Sequence, residues 1–344
     1  MKNSTALLII LCFLAFKPAQ AQIVISKTDS VHRLVDTVLQ FAKDRSFYRG
    51  QVNWISVTDS VQKKASNATS IKEAIPAIQL LFRLLGDHHG FITYGNTSYG
   101  WHHGDAPLDR NLHQGLLKKY REGYHLTPKV IEKKYGYLLL PNNNPTHPGD
   151  LEKIGQQIRD SLALFNGHGF KGVIIDLRLN PGGSMWPMIG GLAALFGPGK
   201  LGAFAFPEPQ PDEAWGIENN KVYDGADTTY SVKSRGKDLS SMKVVVLIGP
   251  YTRSSGEALA ISFKGRPNTW FIGENSGGYT TANESIQFTN QIGIFIATSV
   301  EADRNGRIYP DYIKPDAEII GGDNFDDLTK DKKIIAALEW LKHQ

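Results

Sequence analysis

Apolar and polar positions along this chain follow two periods. In residues 28–47, Val31, Leu34, Val35, Val38 and Leu39 recur three and four apart, the spacing of one helix face. A second stripe, Ile71, Ile75, Ile78, Leu81 and Leu85, begins after Ser70, which with Glu73 has the form of a capping box. Pro76 falls inside that stripe and weakens its interior. Beyond it the pattern changes to short apolar runs at 137–140, 173–177, 244–248 and 270–273, each read as a buried strand. Helical patterns follow three of these: Leu151, Ile154, Ile158, Leu162 and Phe165 behind Asp150, a segment from Met185, and one holding Ala258, Leu259 and Ile261. Residues 286–288 and 292–297 read as a hairpin, and 327–342 as a last helix. Alternating strands and helices predict an α/β core over about 131–320. Segments 106–130 and 197–240 show neither period. The first reads as a polar passage, the second as a surface loop or groove wall rich in Pro, Gly and aromatics.

The first 21 residues change the picture before any fold argument. Lys2, the apolar stretch 6–16 and Ala19-Gln20-Ala21 form a secretory signal peptide, cut after Ala21. The apolar stretch is too short to span a bilayer comfortably, so no stable membrane insertion is expected after cleavage. The product is exported, to the periplasm or the medium. Its only cysteine, Cys12, leaves with the leader, which removes disulfides and thiol chemistry. The net charge of +4 is small, and no basic run supplies a nucleic-acid footprint.

Three stretches carry candidate chemistry. Residues 86–105 hold His88, His89, His102 and His103, but neither pair has HExxH spacing, and no metal is expected. Asn180-Pro181-Gly182-Gly183 is a tight turn after a strand, whose backbone amides can face an anion or oxyanion or serve as a plain turn. No GxGxxG or phosphate loop accompanies it, so no organic cofactor is expected. Ser254 and Ser255 sit where the 244–248 strand gives way to a helix. A serine there either caps the helix or projects a nucleophile beside unpaired amides.

Taken in order, these segments resemble the S41 family of serine peptidases, the C-terminal processing and tricorn-core group. The DLR-x-N-x-GG pattern is matched by residues 176–183, and the small-residue turn by Thr252-Arg253-Ser254-Ser255-Gly256-Glu257. The GE loop is matched at Gly273-Glu274 and the late segment, loosely, at Tyr312-Ile313-Lys314-Pro315-Asp316. The resemblance spans about 70–320. It implies Ser254 as nucleophile, with an oxyanion hole from the amide of Ser255 and one of Gly182 or Gly183. Tyr279 stands where one branch of the family has a catalytic lysine. The tricorn-like branch uses a histidine after an N-terminal helical region, which places the base on His89 of Asp87-His88-His89. Asp311 is the preferred acid to orient His89, with Glu301 and Asp303 as alternatives. The implied protein is an exported serine endopeptidase acting on peptide or protein substrates, with oligomerisation possible. Its expected layout is an N-terminal helical region over 22–90, connecting hairpin and loops over 91–130, and a ClpP/crotonase-like β-α core over 131–344. His88, where that branch has serine, leaves room for a non-catalytic peptide-binding protein. A serine esterase is the other rival, weakened by the missing GxSxG elbow.

Overall fold

The computed structural model describes residues 27–101, 108–167, 169–232 and 236–343. The leader with Cys12, and His102 and His103, lie outside them. The chain begins with helices α1 (Lys27–Arg45), α2 (Trp54–Ala65) and α3 (Ile71–Leu85), then the hairpin β1 (Phe91–Tyr94) and β2 (Thr97–Gly100). Next come α4 (Gln114–Glu122), β3 (Thr127–Ile131), β4 (Tyr135–Leu139), α5 (Asp150–Ala163), β5 (Gly172–Asp176), α6 (Met185–Gly191) and α7 (Ala193–Phe196). Four strands follow, β6 (Gly199–Ala205), β7 (Glu213–Glu218), β8 (Lys221–Asp224) and β9 (Asp227–Ser231). The chain closes with β10 (Lys243–Ile248), α8 (Ser255–Phe263), β11 (Thr269–Gly273), β12 (Thr281–Thr289), β13 (Ile292–Asp303), β14 (Ala317–Glu318) and α9 (Lys332–His343).

The apolar runs make a six-stranded sheet in the order β14-β11-β10-β5-β4-β3, parallel except for β3. Both its faces are covered, which is why its strands lack alternation. Val244, Val246 and Ile248 pack into one core with Ile158, Met188 and Leu259, while Val245 and Leu247 pack into another with Ile334 and Leu338 of α9. The turns that leave the carboxyl ends of β5 and β10 therefore lie side by side, Leu247 being in register with Asp176. Such an edge of a parallel sheet is a common place for a ligand crevice.

The expected ClpP/crotonase-like core is corrected by the rest of the chain. Strand–helix alternation stops after α7, where β6 to β9 form an antiparallel meander instead of another β-α unit. This meander continues through β13 and β1 into a second, eight-stranded sheet ordered β2-β1-β13-β6-β7-β8-β9, with β12 also on β13. The region expected to be loop is thus strand, and Trp215, Ile217 and Val222 bury its inner face. The result is an α/β fold with N-terminal helices and a curled antiparallel sheet.

The helical stripes near the start find their partner in this second sheet. Val31, Leu34, Ile78, Leu81 and Phe82 share a buried core with Ile92 and with Ile292, Ile294 and Ile296 of β13. Phe91 is in register with Phe295, and the two rings stack at 4.3 Å.

Below the parallel sheet lies a buried ion network. Arg178 is 1% exposed; its guanidinium donates to Asp176 (2.6 Å), Asp323 (2.7 Å) and Asp331 (2.8 Å). Lys333, equally buried, donates to Asp323 (2.8 Å) and Glu274 (3.0 Å), and His113 Nε2 lies 2.6 Å from the other Glu274 oxygen. The network ties the turn after β5 and the loop after β11 to the start of α9. Removing Arg178 leaves buried Asp176 and Asp331 without an ion-pair partner among the described residues. Arg178→Met is expected to cost about 3–5 kcal/mol in denaturant unfolding, far more than Lys118→Met, whose partner Asp326 is on the surface.

Candidate active site

The turn from β10 to α8 is built by its own polar groups. Thr252 is fully buried; its hydroxyl accepts from Gly249 N–H (3.0 Å) and donates to Leu177 O (2.8 Å). Ser254 follows at φ 52° and ψ −127°, a conformation that L side chains rarely adopt. Holding a non-glycine residue there costs on the order of 1–3 kcal/mol and needs support from its surroundings. Gly182 supplies the space: at φ 113°, its would-be Cβ lies 2.9 Å from Ser254 Cβ and 3.1 Å from Ser255 N. Gly183 is similarly pressed by the carbonyl of Asn143.

Glu257 holds the turn from behind. Its buried carboxylate accepts from Ser254 N–H (2.9 Å), Ser276 Oγ (2.5 Å), Gly278 N–H (2.9 Å) and Tyr279 N–H (2.8 Å). Burial pushes its pKa up to about 7, although all four donors pull it down. The same loop reaches the histidines: His88 Nε2 donates to Gly278 O (2.6 Å), and the Tyr279 ring meets the His89 ring edge-on at 5.3 Å.

His89 is delivered by the end of α3. Gly86 takes the left-handed C-cap conformation and Asp87 N–H returns to Phe82 O (2.9 Å). Asp87, fully buried, then accepts from His89 N–H (3.1 Å), Gly90 N–H (2.7 Å) and Ala297 N–H (3.0 Å), fastening the turn to β13. His89 Nδ1 lies 2.9 Å from Thr281 Oγ1. A proton on Nδ1 donated to that oxygen leaves Nε2 free to accept. Burial, and then the neighbouring His88, lower the His89 pKa to about 4, so the ring is neutral at neutral pH.

Ser254, Ser255, Gly183, His89 and Thr281 line one cavity of about 590 Å³, with Glu301 on the same wall. Gly182 packs directly behind the serine, but its N–H is taken by Asn180 Oδ1 (3.0 Å). Asp311 does not join them: it is exposed, it is not among the cavity's described residues, and the Nδ1 partner of His89 is Thr281. Thr281, the first residue of β12, escaped the sequence reading because a hydroxyl at the end of a Gly/Thr-rich stretch carries no spacing signal. Tyr279, at the lysine position of the other branch, packs its ring on both histidines and under Arg253.

Comparison with known proteins places this geometry in context. The sequence profile of peptidase family S41 matches residues 134–319, more than half of the chain. The nisin-resistance protein of Lactococcus lactis subsp. lactis is 27% identical over 321 residues, which cover 92% of this chain and 88% of that one. Among solved structures, a lipoprotein from Streptococcus agalactiae superposes with a TM-score of 0.68 at 21% identity, over 92% of this chain and 96% of its own. A putative peptidase from Parabacteroides merdae gives 0.59 at 18%, over 90% and 96%. The photosystem II D1 C-terminal processing protease gives 0.55 at 14%, over 84% and 93%. These three share the fold with its curled antiparallel sheet, which replaces the ClpP/crotonase-like expectation.

Two of the shifted groups, Glu257 and His89, bend stability against pH in opposite senses. Glu257 binds its proton more tightly folded than unfolded, so its contribution is full below pH 4.5 and is lost as pH rises through 7, by about 3 kcal/mol. His89 binds its proton more weakly when folded, so its contribution is full above pH 6.5 and is lost as pH falls through 4. Between pH 4.5 and 6.5 the two slopes oppose each other. Buried Glu301 and half-buried Asp224, whose pKa values are also raised, add the same falling slope in every variant. Denaturant midpoints across that window should therefore fall with pH less steeply in Glu257→Gln than in wild type, and more steeply in His89→Phe.

Proposed function

Since the chain belongs to peptidase family S41, we propose that it is an exported serine endopeptidase in which Ser254 is the nucleophile and His89 the general base. The observation that carries this reading is the convergence of Ser254, Ser255, Gly183 and His89 on one cavity from three separate segments of the chain. His89 Nε2 takes the Ser254 Oγ proton as Oγ attacks the scissile carbonyl carbon. The negative oxygen of the tetrahedral intermediate is met by the amides of Ser255 and Gly183. Gly183 is favoured over Gly182, whose N–H is already given to Asn180. His89 then protonates the departing amine, leaving a Ser254 ester, and the same histidine activates the water that hydrolyses it.

Thr281 is the positioning residue in this scheme. Its hydroxyl accepts the Nδ1 proton and so fixes the tautomer, the part a carboxylate plays in Ser-His-Asp enzymes. Being neutral, it does little to stabilise an imidazolium, in keeping with the low pKa of His89. No described helix is long and apolar enough to cross a membrane. The leader over residues 1–21 directs export, so the enzyme meets its peptide or protein substrate outside the cytoplasm.

A fluorophosphonate probe is expected to label the wild-type protein on Ser254 and to fail on Ser254→Ala. His89→Ala should lose at least about 100-fold in labelling rate and peptide cleavage, within the usual range for a lost general base. Activity of His89→Ala equal to wild type would reject that histidine. The acid limb of kcat/KM should fall near pH 4, because only neutral His89 accepts the proton; a limb near pH 6.5 would contradict this environment.

A further inference from the structure

The catalytic steps above make no use of Glu301. It lies on β13 directly opposite Phe204 of β6, so both side chains stand on the same face of the antiparallel sheet. It is 3% exposed, and its Oε2 has no hydrogen-bond partner among the described residues. It nonetheless lines the cavity that holds Ser254 and His89. Among the described residues lining that cavity it is the only Asp, Glu, Lys or Arg. Phe91, Trp186, Phe204 and Phe295 add aromatic faces to the wall.

That combination discriminates among substrate side chains. A buried carboxyl without a partner is costly to ionise, and burial followed by the nearby Glu257 raises its pKa well above the usual carboxylate range. An apolar guest leaves Oε2 unpaired, and an acidic guest adds a like charge. A cationic guest pairs with the carboxylate, restores its ionisation, and lays its stem and charge against aromatic faces. We propose that Glu301 is a specificity-determining residue that gives this cavity a preference for lysine or arginine beside the scissile bond. The inference rests on the peptidase reading above and adds the substrate class to it.

The test is digestion of a mixed peptide library by the full-length mature enzyme, with cleavage sites mapped by mass spectrometry. It is paired with kcat/KM for matched substrates carrying lysine or norleucine at the mapped position. Wild type should cut next to Lys or Arg, and Glu301→Gln should lower the lysine-to-norleucine ratio of kcat/KM at least about tenfold. In wild type, n-butylamine should inhibit competitively and 1-butanol at equal concentration should not, a readout that does not depend on the variant folding. Cleavage without a basic preference, an unchanged ratio in Glu301→Gln, or equal inhibition by amine and alcohol overturns this inference alone. Absence of both cleavage and Ser254 labelling overturns the peptidase reading, and this inference with it.

Discussion

The buried carboxylate of Glu257 is the interaction on which the site depends. One oxygen holds Ser276 and Gly278, the other Tyr279 and Ser254. It thus fixes the strained Ser254 to the loop that touches both histidines. A helix start favours a carboxylate in its first turn, because its free amides carry partial positive charge. Here that preference is extended to the amides of a loop more than twenty residues away in sequence. The Ser254 turn and the histidine contacts therefore move as one unit: any change that loosens Glu257 alters the serine backbone and the His88–Gly278 bond together.

The molecule keeps its charged framework and its candidate chemistry apart. Arg178 and Lys333, with four carboxylates and His113, form a dry network on the α9 side of the parallel sheet. The cavity at the carboxyl end of β10, and the turn packed behind it, instead hold groups whose charges burial suppresses: neutral His89 and Glu301 on the wall, and Glu257 behind it, the two carboxyls with raised pKa values. Buried ion networks bring little net stability but penalise misalignment of the elements they join. That suits the turns after β5 and β11, which support the Gly182–Gly183 and Glu257-bound loops.

Much of this was legible in the chain. Val244–Ile248 and the other apolar runs announce the parallel sheet because strands buried on both faces need no alternation. The strand-to-helix position of Ser254 follows from Gly249 and Pro250. The antiparallel sheet was not legible. β7 and β8 are short, they bury Trp215 and Ile217 before exposed Glu218 and Val222 after exposed Lys221, and they are separated by turn residues that read as loop. Arg178 is recognisable as a motif residue, yet its partners Asp323 and Asp331 lie about 150 positions on, where local pattern says nothing. Asp311 was drawn in by its nearness to a late motif, whereas the ring nitrogen of His89 is met by Thr281, a residue with no signature.

The N-terminal helices then acquire a reason beyond stability. His89 enters the cavity only because α3 ends at Gly86 and Asp87 is fastened to Ala297 on β13. The direction of α3 is in turn set by the core that Ile78, Leu81 and Phe82 share with Ile292, Ile294 and Ile296. These contacts join segments some two hundred residues apart, so their loop-closure entropy must be met before the histidine is in place. Gly90 shows how tight the junction is: a Cβ there would lie 2.6 Å from the Asp87 carboxylate and 2.8 Å from Phe82. The helical region is therefore structurally inseparable from the cavity, for the parallel sheet and its serine turn supply only half of the groups that converge there.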